Sequence, residues 1–333
     1  MAKAHELLFQ PGLIVNQEFF DYPAMQESAK NWLYFTKYRF GTGEFYGCHD
    51  GVQLNNLQFG HAYRHEGMMY EGISPKDCIT IAILQKSTGC VCVNSLKMEP
   101  DDVIIIDDTK PYHFSSSHHT IMAIISISKT LVATEIPWIL CATDKKFKDK
   151  NNILSDTIEN EWQPVLEEPN IFDNSDKIEV MEKKIVKAIK YSLAGQTGKR
   201  CQLTEGEKTA FKVRSFLLNS LEETMTIQSI VEQFRTTDKT LENSFKSLFG
   251  ITPKRFMRLL KLNHAHEDLQ LANAQTANVS DIATKWGFSH FGRFAKEHKA
   301  LFGVLPSEIL ITAPKVYNQN LHHPNYDIIN NKS

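Results

Sequence analysis

The chain has 333 residues, 42% of them hydrophobic and 23% charged, with a formal net charge of −2. That is the make-up of an ordinary soluble globule, and the length suits two domains. No basic N-terminal stretch runs into an apolar core, so no signal peptide is expected. The longest strongly apolar run, residues 121–127, is far too short for a bilayer span. Six cysteines without framework spacing suit a reducing cytosol. The expectation is a cytoplasmic protein with no membrane partner.

From about residue 45 to 129 the texture is β. Short β-branched runs at 79–84, 90–94, 103–107 and 120–126 are bounded by Gly, Pro, Asp or Ser, and 96–114 reads as strand, turn, strand, turn. Cys90 and Cys92 flank Val91 and would point to one face of a strand. They read as a structural pair, because no nearby histidine completes a set of four metal ligands. His49, His61, His65, His113, His118 and His119 invite a metal reading, but His61 and His65 stand at the wrong interval for a His-x-His pair. They read as surface or hydrogen-bonding histidines, and no metal, cofactor or catalytic constellation is assigned. Further on, Ile178, Met181 and Ile185 repeat at helical spacing among Lys and Glu. Such a stripe either packs on the β-rich part or forms a dimer seam.

A polar stretch at 196–205 reads as the linker between a domain at 1–195 and one at 206–312, and the polar, Asn-rich tail at 313–333 is expected to fray. The second domain repeats itself. Leu241, Phe245, Phe249, Gly250 and Pro253 recur as Phe294, His298, Phe302, Gly303 and Pro306 at a constant interval, and Lys246 and Lys299 keep that register. Ile230 and Ile282 match at an interval one residue shorter, as if one turn held an extra residue. In the first copy Thr226 caps a short helix with Ile227, Ile230 and Val231 inward, and a polar break at 235–237 follows. A second helix then runs over 238–249 with Leu241, Phe245, Leu248 and Phe249 on one face and Lys239, Glu242, Asn243 and Lys246 on the other. Gly250 ends it in the left-handed conformation, and Thr252-Pro253 opens a long helix to about residue 272.

The second copy opens at Ser280-Asp281, turns at Gly287 and places Phe291, Phe294, His298, Leu301 and Phe302 inward from about residue 289 to 302. Arg293, Lys296 and Lys299 stand outward, with Gly292 letting the backbone come close to something. His298 reads as a core histidine, since its register is inward. Two helix-turn-helix units on one rod suit a target that itself repeats, as successive major grooves of DNA do about every 34 Å. Charge agrees. Residues 235–300 carry eleven Lys/Arg against six Asp/Glu, concentrating positive charge in a chain that is negative overall.

Residues 250–269 (GITPKRFMRLLKLNHAHEDL) followed by 279–310 (VSDIATKWGFSHFGRFAKEHKALFGVLPSEIL) resemble the DNA-binding domain of AraC/XylS-family transcription regulators, in the style of the XylS-like branch. The resemblance covers about residues 207–310. Position by position, it puts base-reading roles on Lys239, Glu242 and Asn243 in the first copy and on Arg293 and Lys296 in the second, with Gly292 and Lys299 beside them. The equivalent places of Lys246 and Lys299 late in their helices, apart from the resemblance, suit phosphate contacts. Val231 and His298 depart from the family pattern, and Asp238 and Glu242 put negative charge on the first reading face. The 96–114 stretch resembles the hairpin of the cupin-like sensor domains that precede this DNA-binding domain, with Asp101-Asp102 in place of the turn glycine.

The resemblance implies an α+β protein of two domains: an N-terminal cupin-like β-barrel or jelly roll with dimerisation helices, and a C-terminal all-α domain of two helix-turn-helix motifs joined by a long helix. It also implies double-stranded DNA and RNA polymerase as partners, a homodimer through Ile178, Met181 and Ile185, transcriptional activation, no enzyme activity and a small-molecule effector in the barrel. Two rival readings stay open: an effector-independent regulator whose barrel only dimerises, and a cupin enzyme fused to a DNA reader.

Overall fold

The computed structural model describes residues 10–20, 24–25, 28, 34–41, 44–168, 170–199, 203–221, 225–273 and 276–312. The tail at 313–333 and part of the expected linker lie outside them. Twelve strands are present among the described residues: β1 (Gly12–Phe19), β2 (Tyr34–Arg39), β3 (Gly47–Gln53), β4 (Leu57–Arg64), β5 (Met68–Gly72), β6 (Cys78–Ser87), β7 (Val91–Val93), β8 (Leu96–Met98), β9 (Asp102–Asp107), β10 (Tyr112–Ser116), β11 (Thr120–Ser128) and β12 (Lys146–Lys148). They form a seven-stranded sheet in the order β1-β3-β4-β11-β6-β9-β12 and a five-stranded sheet in the order β2-β5-β10-β7-β8.

The central strands of the large sheet are apolar at nearly every position because both faces are covered. Ile79, Ile81, Ile83, Val103, Ile105, Ala123, Ile125 and Ile127 face a helical layer. Their alternates Ala82, Leu84, Ile104, Ile106 and Met122 face the small sheet, meeting Tyr70, Val91, Val93 and Phe114. This explains the unbroken apolar run at 121–125, which a sheet wetted on one side would interrupt. The helical layer comprises α1 (Lys129–Glu135), α2 (Ile153–Glu167) and α3 (Ser175–Leu193). Ile178, Met181 and Ile185 of α3 are 3%, 3% and 0% exposed and belong to this same core. The expected dimer seam on these three residues is therefore corrected to intramolecular packing. Full burial of such a side chain is worth about 1.5–3 kcal/mol, and these three spend it inside the chain.

Asp101 does the work expected of a turn glycine. Its φ of 67° lies in the left-handed region that Asp tolerates better than most residues. Its neighbour Asp102 is fully buried, accepts the Glu99 amide at 2.7 Å, and is flanked by Lys146 and Lys148 of edge strand β12 at 2.8 and 2.9 Å. Lys199, in the stretch expected to be the linker, bridges to Lys146 of β12.

The C-terminal domain consists of α4 (Glu205–Ser220), α5 (Ile227–Gln233), α6 (Asp238–Phe249), α7 (Pro253–Leu271), α8 (Val279–Lys285), α9 (Phe291–Phe302) and α10 (Pro306–Thr312). Around α9 the core holds two histidines, of which His298 stands where the first copy has Phe245. His298 is fully buried, and its Nδ1 lies 3.0 Å from the Val304 carbonyl, which can only accept. Nδ1 therefore carries the proton. The free Nε2 then accepts from His266 Nδ1 at 3.1 Å, and the His266 ring stacks on Phe302 at 3.9 Å. Both rings are neutral. Burial pushes His266 down to about 3, helped by the charges of His298 and Arg39. Burial also pushes His298 down to about 4, against the opposing bond to Val304.

The unfolded imidazoles keep a value near 6.5 and take up protons that the folded pair refuses. Stability is therefore full above about pH 6.5 and falls as the pH drops toward 4, by about 2 kcal/mol per ring at pH 5. His298→Phe, which copies Phe245, should shrink the loss of melting temperature between pH 7 and 5. An unchanged pH dependence of melting would contradict the assignment.

Candidate nucleic-acid interface

Each reading helix is started by a turn and stopped by a glycine. Thr226 and Ser229 form a reciprocal cap on α5, and Thr237 caps α6 through the Thr240 amide. Between α5 and α6 the turn residue is Arg235, with φ at 49°, and between α8 and α9 it is Gly287, with φ at 74°. These two positions share the shorter interval seen for Ile230 and Ile282. Two residues separate Arg235 from α6 but three separate Gly287 from α9, so the extra residue of the second copy sits just before its reading helix. Gly250 and Gly303 close α6 and α9 with φ of 72° and 80°. The inward faces carry Leu241, Phe245 and Leu248 in α6 and Phe294, His298 and Leu301 in α9, all buried.

The sequence-assigned residues lie on the opposite faces. Lys239, Asn243 and Lys246 are exposed and Glu242 is half-buried on α6; Gly292, Arg293, Lys296 and Lys299 are exposed on α9. Their surroundings differ. On α6 the Lys246 ammonium sits 2.5 Å from Glu242, so the first face largely neutralises itself. On α9, Lys296 and Lys299 keep their charge outward, and Arg293 donates from Nε to Glu297 at 2.8 Å. Glu297 also accepts from Arg258 of α7. Burial would push its carboxyl up, but the Arg258 and Arg293 guanidinium groups outweigh that and hold it below the usual carboxylate range.

Two residues escaped the sequence reading. Phe291, expected inward, is 46% exposed, because the first turn of α9 projects past the core that Phe294 and Leu301 fill. Glu297 is not singled out by the sequence reading; its spacing of four from Arg293 is the signal that could have found it.

A helix-turn-helix domain family model matches residues 230–310. Over 90 residues the chain is 37% identical to the "Probable thc operon regulatory protein" of Rhodococcus erythropolis, covering 27% of each chain. Over 118 residues it is 29% identical to the "XylDLEGF operon transcriptional activator" of Pseudomonas putida, covering 35% of this chain and 37% of that one. The chain thus spans only about a quarter to a third of the length of these relatives. Residues 230–310 are thus those of an AraC/XylS-type helix-turn-helix domain. A solved structure, the AraC-like transcriptional activator CuxR, aligns over 76% of this chain and 96% of its own at 15% identity and a TM-score of 0.44.

The first helix-turn-helix is not free of the N-terminal domain. Tyr38, Met69 and Cys92, from the outer face of the small sheet, share one apolar cluster with Phe245, Phe249, Phe256 and Leu260. The CxC pair meets the end of α6: the Cys92 thiol donates to the Leu248 carbonyl at 3.1 Å, and Cys90 lies 3.9 Å from that of Lys246. Gly250 is doubly required, since a Cβ there would also come within 2.7 Å of Ser117. Arg214 of α4 is 2% exposed against Met69, and burial brings it down to about 10 despite the opposing charge of Glu71. Asn263 of α7 takes the place of a neighbouring strand for β2. Its Oδ1 accepts the Arg39 amide at 2.9 Å and its Nδ2 donates to the Arg39 carbonyl at 3.0 Å.

The six histidines considered for metal do not gather at one site, although the rings of His65 and His119 lie 6.2 Å apart. His49 bonds Ser28, His61 pairs with Asp50, and His113 with Glu71. Among the described residues no three His, Cys, Asp or Glu are grouped to hold a metal ion, and no helix is long and apolar enough to cross a membrane.

Asn263→Ala would leave two buried backbone groups without partners, at a cost of about 2 kcal/mol or more. The expected outcome is faster hydrogen exchange at Arg39 and a lower melting temperature, with little change at α9. Unchanged exchange at Arg39 would show that Asn263 does not tie the domains together.

Proposed function

We propose that the protein is a sequence-specific, DNA-binding transcription regulator that activates its targets. The observation that carries this reading is the pair of capped helices, α6 and α9, held on one rod with polar faces outward in a part of the chain with a surplus of Lys and Arg over Asp and Glu. The two relatives described as operon regulators support it. In this reading α9 is the main base reader. Arg293 takes the guanine-type bidentate contact and Lys296 a second base edge. Phe291 supplies an apolar surface for a thymine methyl, and Lys299 a phosphate contact. On α6, Lys239, Glu242 and Asn243 read more weakly and Lys246 contacts phosphate. Double-stranded DNA, RNA polymerase and a second copy of the chain are the proposed partners. With Ile178, Met181 and Ile185 buried, a homodimer would use the outer side of α2 and α3, where Leu166, Val180 and Tyr191 are exposed.

The N-terminal domain is proposed to sense a small molecule and pass the signal through the junction to the first reading helix. A specific observation favours a second reading, in which it only supports and dimerises. The layer between its sheets is occupied by a contiguous apolar cluster from Tyr70 to Met122. Titrating metabolite panels against DNA affinity separates the two, since an effector acts only through a difference in affinity between states.

Gly292 gives a sharper test of the interface. A Cβ there meets nothing within 4 Å inside the protein, so packing does not require glycine. Ala is favoured over Gly in a helix by about 1 kcal/mol. Gly292→Ala should therefore raise the melting temperature while weakening DNA binding, because the bare backbone is reserved for close approach to DNA. A variant that is stabilised and binds DNA as well as the parent would remove α9 from the groove. Lys299→Ala should lower the salt slope of DNA binding by roughly one. Lys246→Ala should lower it less, since its charge is already countered by Glu242. Equal effects would contradict the asymmetry.

A further inference from the structure

We propose that Glu297 is a positioning and specificity-determining residue, which aims the guanidinium of Arg293 so that its two terminal nitrogens meet a base edge. This rests on the reading of α9 as the helix in the groove. An exposed arginine samples many rotamers, and each must be lost on binding. The Arg293 side chain is 67% exposed, yet its Nε is fixed at 2.8 Å on Glu297 Oε1. With Nε occupied, the planar group has its Nη1/Nη2 edge left for a partner, and that edge is the fork that matches guanine O6 and N7. The side-on Nε/Nη edge, which serves equally well for phosphate, is taken.

The carboxylate is itself immobilised. Its side chain is 19% exposed, and its other oxygen, Oε2, accepts from Arg258 Nε. The Arg258 guanidinium in turn lies 5.1 Å from the centre of the Phe288 ring, on the chain segment that leads into α9. The connector rod thus reaches through Arg258 and Glu297 to the tip of Arg293. The first copy supplies a control within the same molecule. The residues equivalent to Arg293 and Glu297 are Thr240 and Ser244, so the same fold forms there without the pair. A negative charge on a DNA-facing helix weakens phosphate attraction, and an exposed i,i+4 pair adds little to stability. Aiming Arg293 is what Glu297 contributes in return.

The test uses the full-length protein and duplexes that it enriches from a randomised pool. Binding of the parent, Arg293→Ala, Glu297→Ala, Glu297→Gln and the double alanine variant is measured on the best duplex, on its single-base variants and on unrelated DNA. The parent should discriminate against loss of one guanine by roughly tenfold or more. Arg293→Ala should abolish that preference. Glu297→Ala should cut it at the same position by at least about threefold, with affinity for unrelated DNA held or raised, and should change nothing further in the Arg293→Ala background. Glu297→Gln keeps the size and one acceptor and should fall between. It carries the same comparison if the alanine variant fails to fold. If Arg293→Ala loses the preference while both Glu297 variants keep it, the positioning role is overturned and the base-reading role stands. Loss of preference at every position, also in the Arg293→Ala background, would make Glu297 merely structural and overturn the inference. If Arg293→Ala changes no preference at all, Arg293 is not a base reader, and the reading beneath the inference fails with it.

Discussion

Both faces of the small sheet carry packed side chains, and the rest of the molecule depends on that constraint. Its inner side chains fill the layer against the large sheet, and on its outer face Tyr38, Met69 and Cys92 complete the aromatic core beneath α6. The first reading helix is consequently built partly from the N-terminal domain. Moving it away would expose Phe249 and Phe256, strip the Leu248 carbonyl of its thiol donor, and break the Asn263 bonds to β2. Apolar burial worth several kcal/mol and hydrogen bonds worth about 1 kcal/mol each make the junction a cooperative contact rather than a tether.

From that constraint follows a division of labour between two copies of one motif. The core of the second copy is assembled from Leu259, Leu262, Phe288, Phe294 and Leu301, almost entirely within the C-terminal domain. Its outward face holds two uncompensated lysines and a braced arginine. In the first copy a lysine is neutralised by its own helix, and the helix end is spent on the sheet. On the proposed function one unit reports on the N-terminal domain and the other reads a groove, and α7, nineteen residues long, connects them.

Much of this was legible in the sequence because the signals were local. The bounds of α6, the Gly250 stop and the Thr252-Pro253 start follow from caps, periodicity and left-handed glycines. The inward register of His298 follows from its equivalence to Phe245. Contacts between domains were hidden. Asn263 reads as an unremarkable polar residue on a long helix, and only the fold shows that its amide stands opposite the backbone of Arg39. Cys90 and Cys92 both turn toward the end of α6, although only Cys92 lies within a strand, and that side proved to be an interface. The stripe of Ile178, Met181 and Ile185 shows the same limit from the other side: periodicity reports that a face is buried, not by what. Phe291 failed for a further reason, since position on a helix face does not say where the core beneath it ends.

The central claim is that two reading helices are held by one rod at the spacing of successive grooves. Hydroxyl-radical footprinting of the full-length protein on a high-affinity duplex tests it most directly. The expected result is two protected windows on one face of the DNA, separated by about one helical turn of roughly 10 base pairs, with the stronger protection over the half read by α9. A single window, or protection spread evenly around the duplex, would contradict the account.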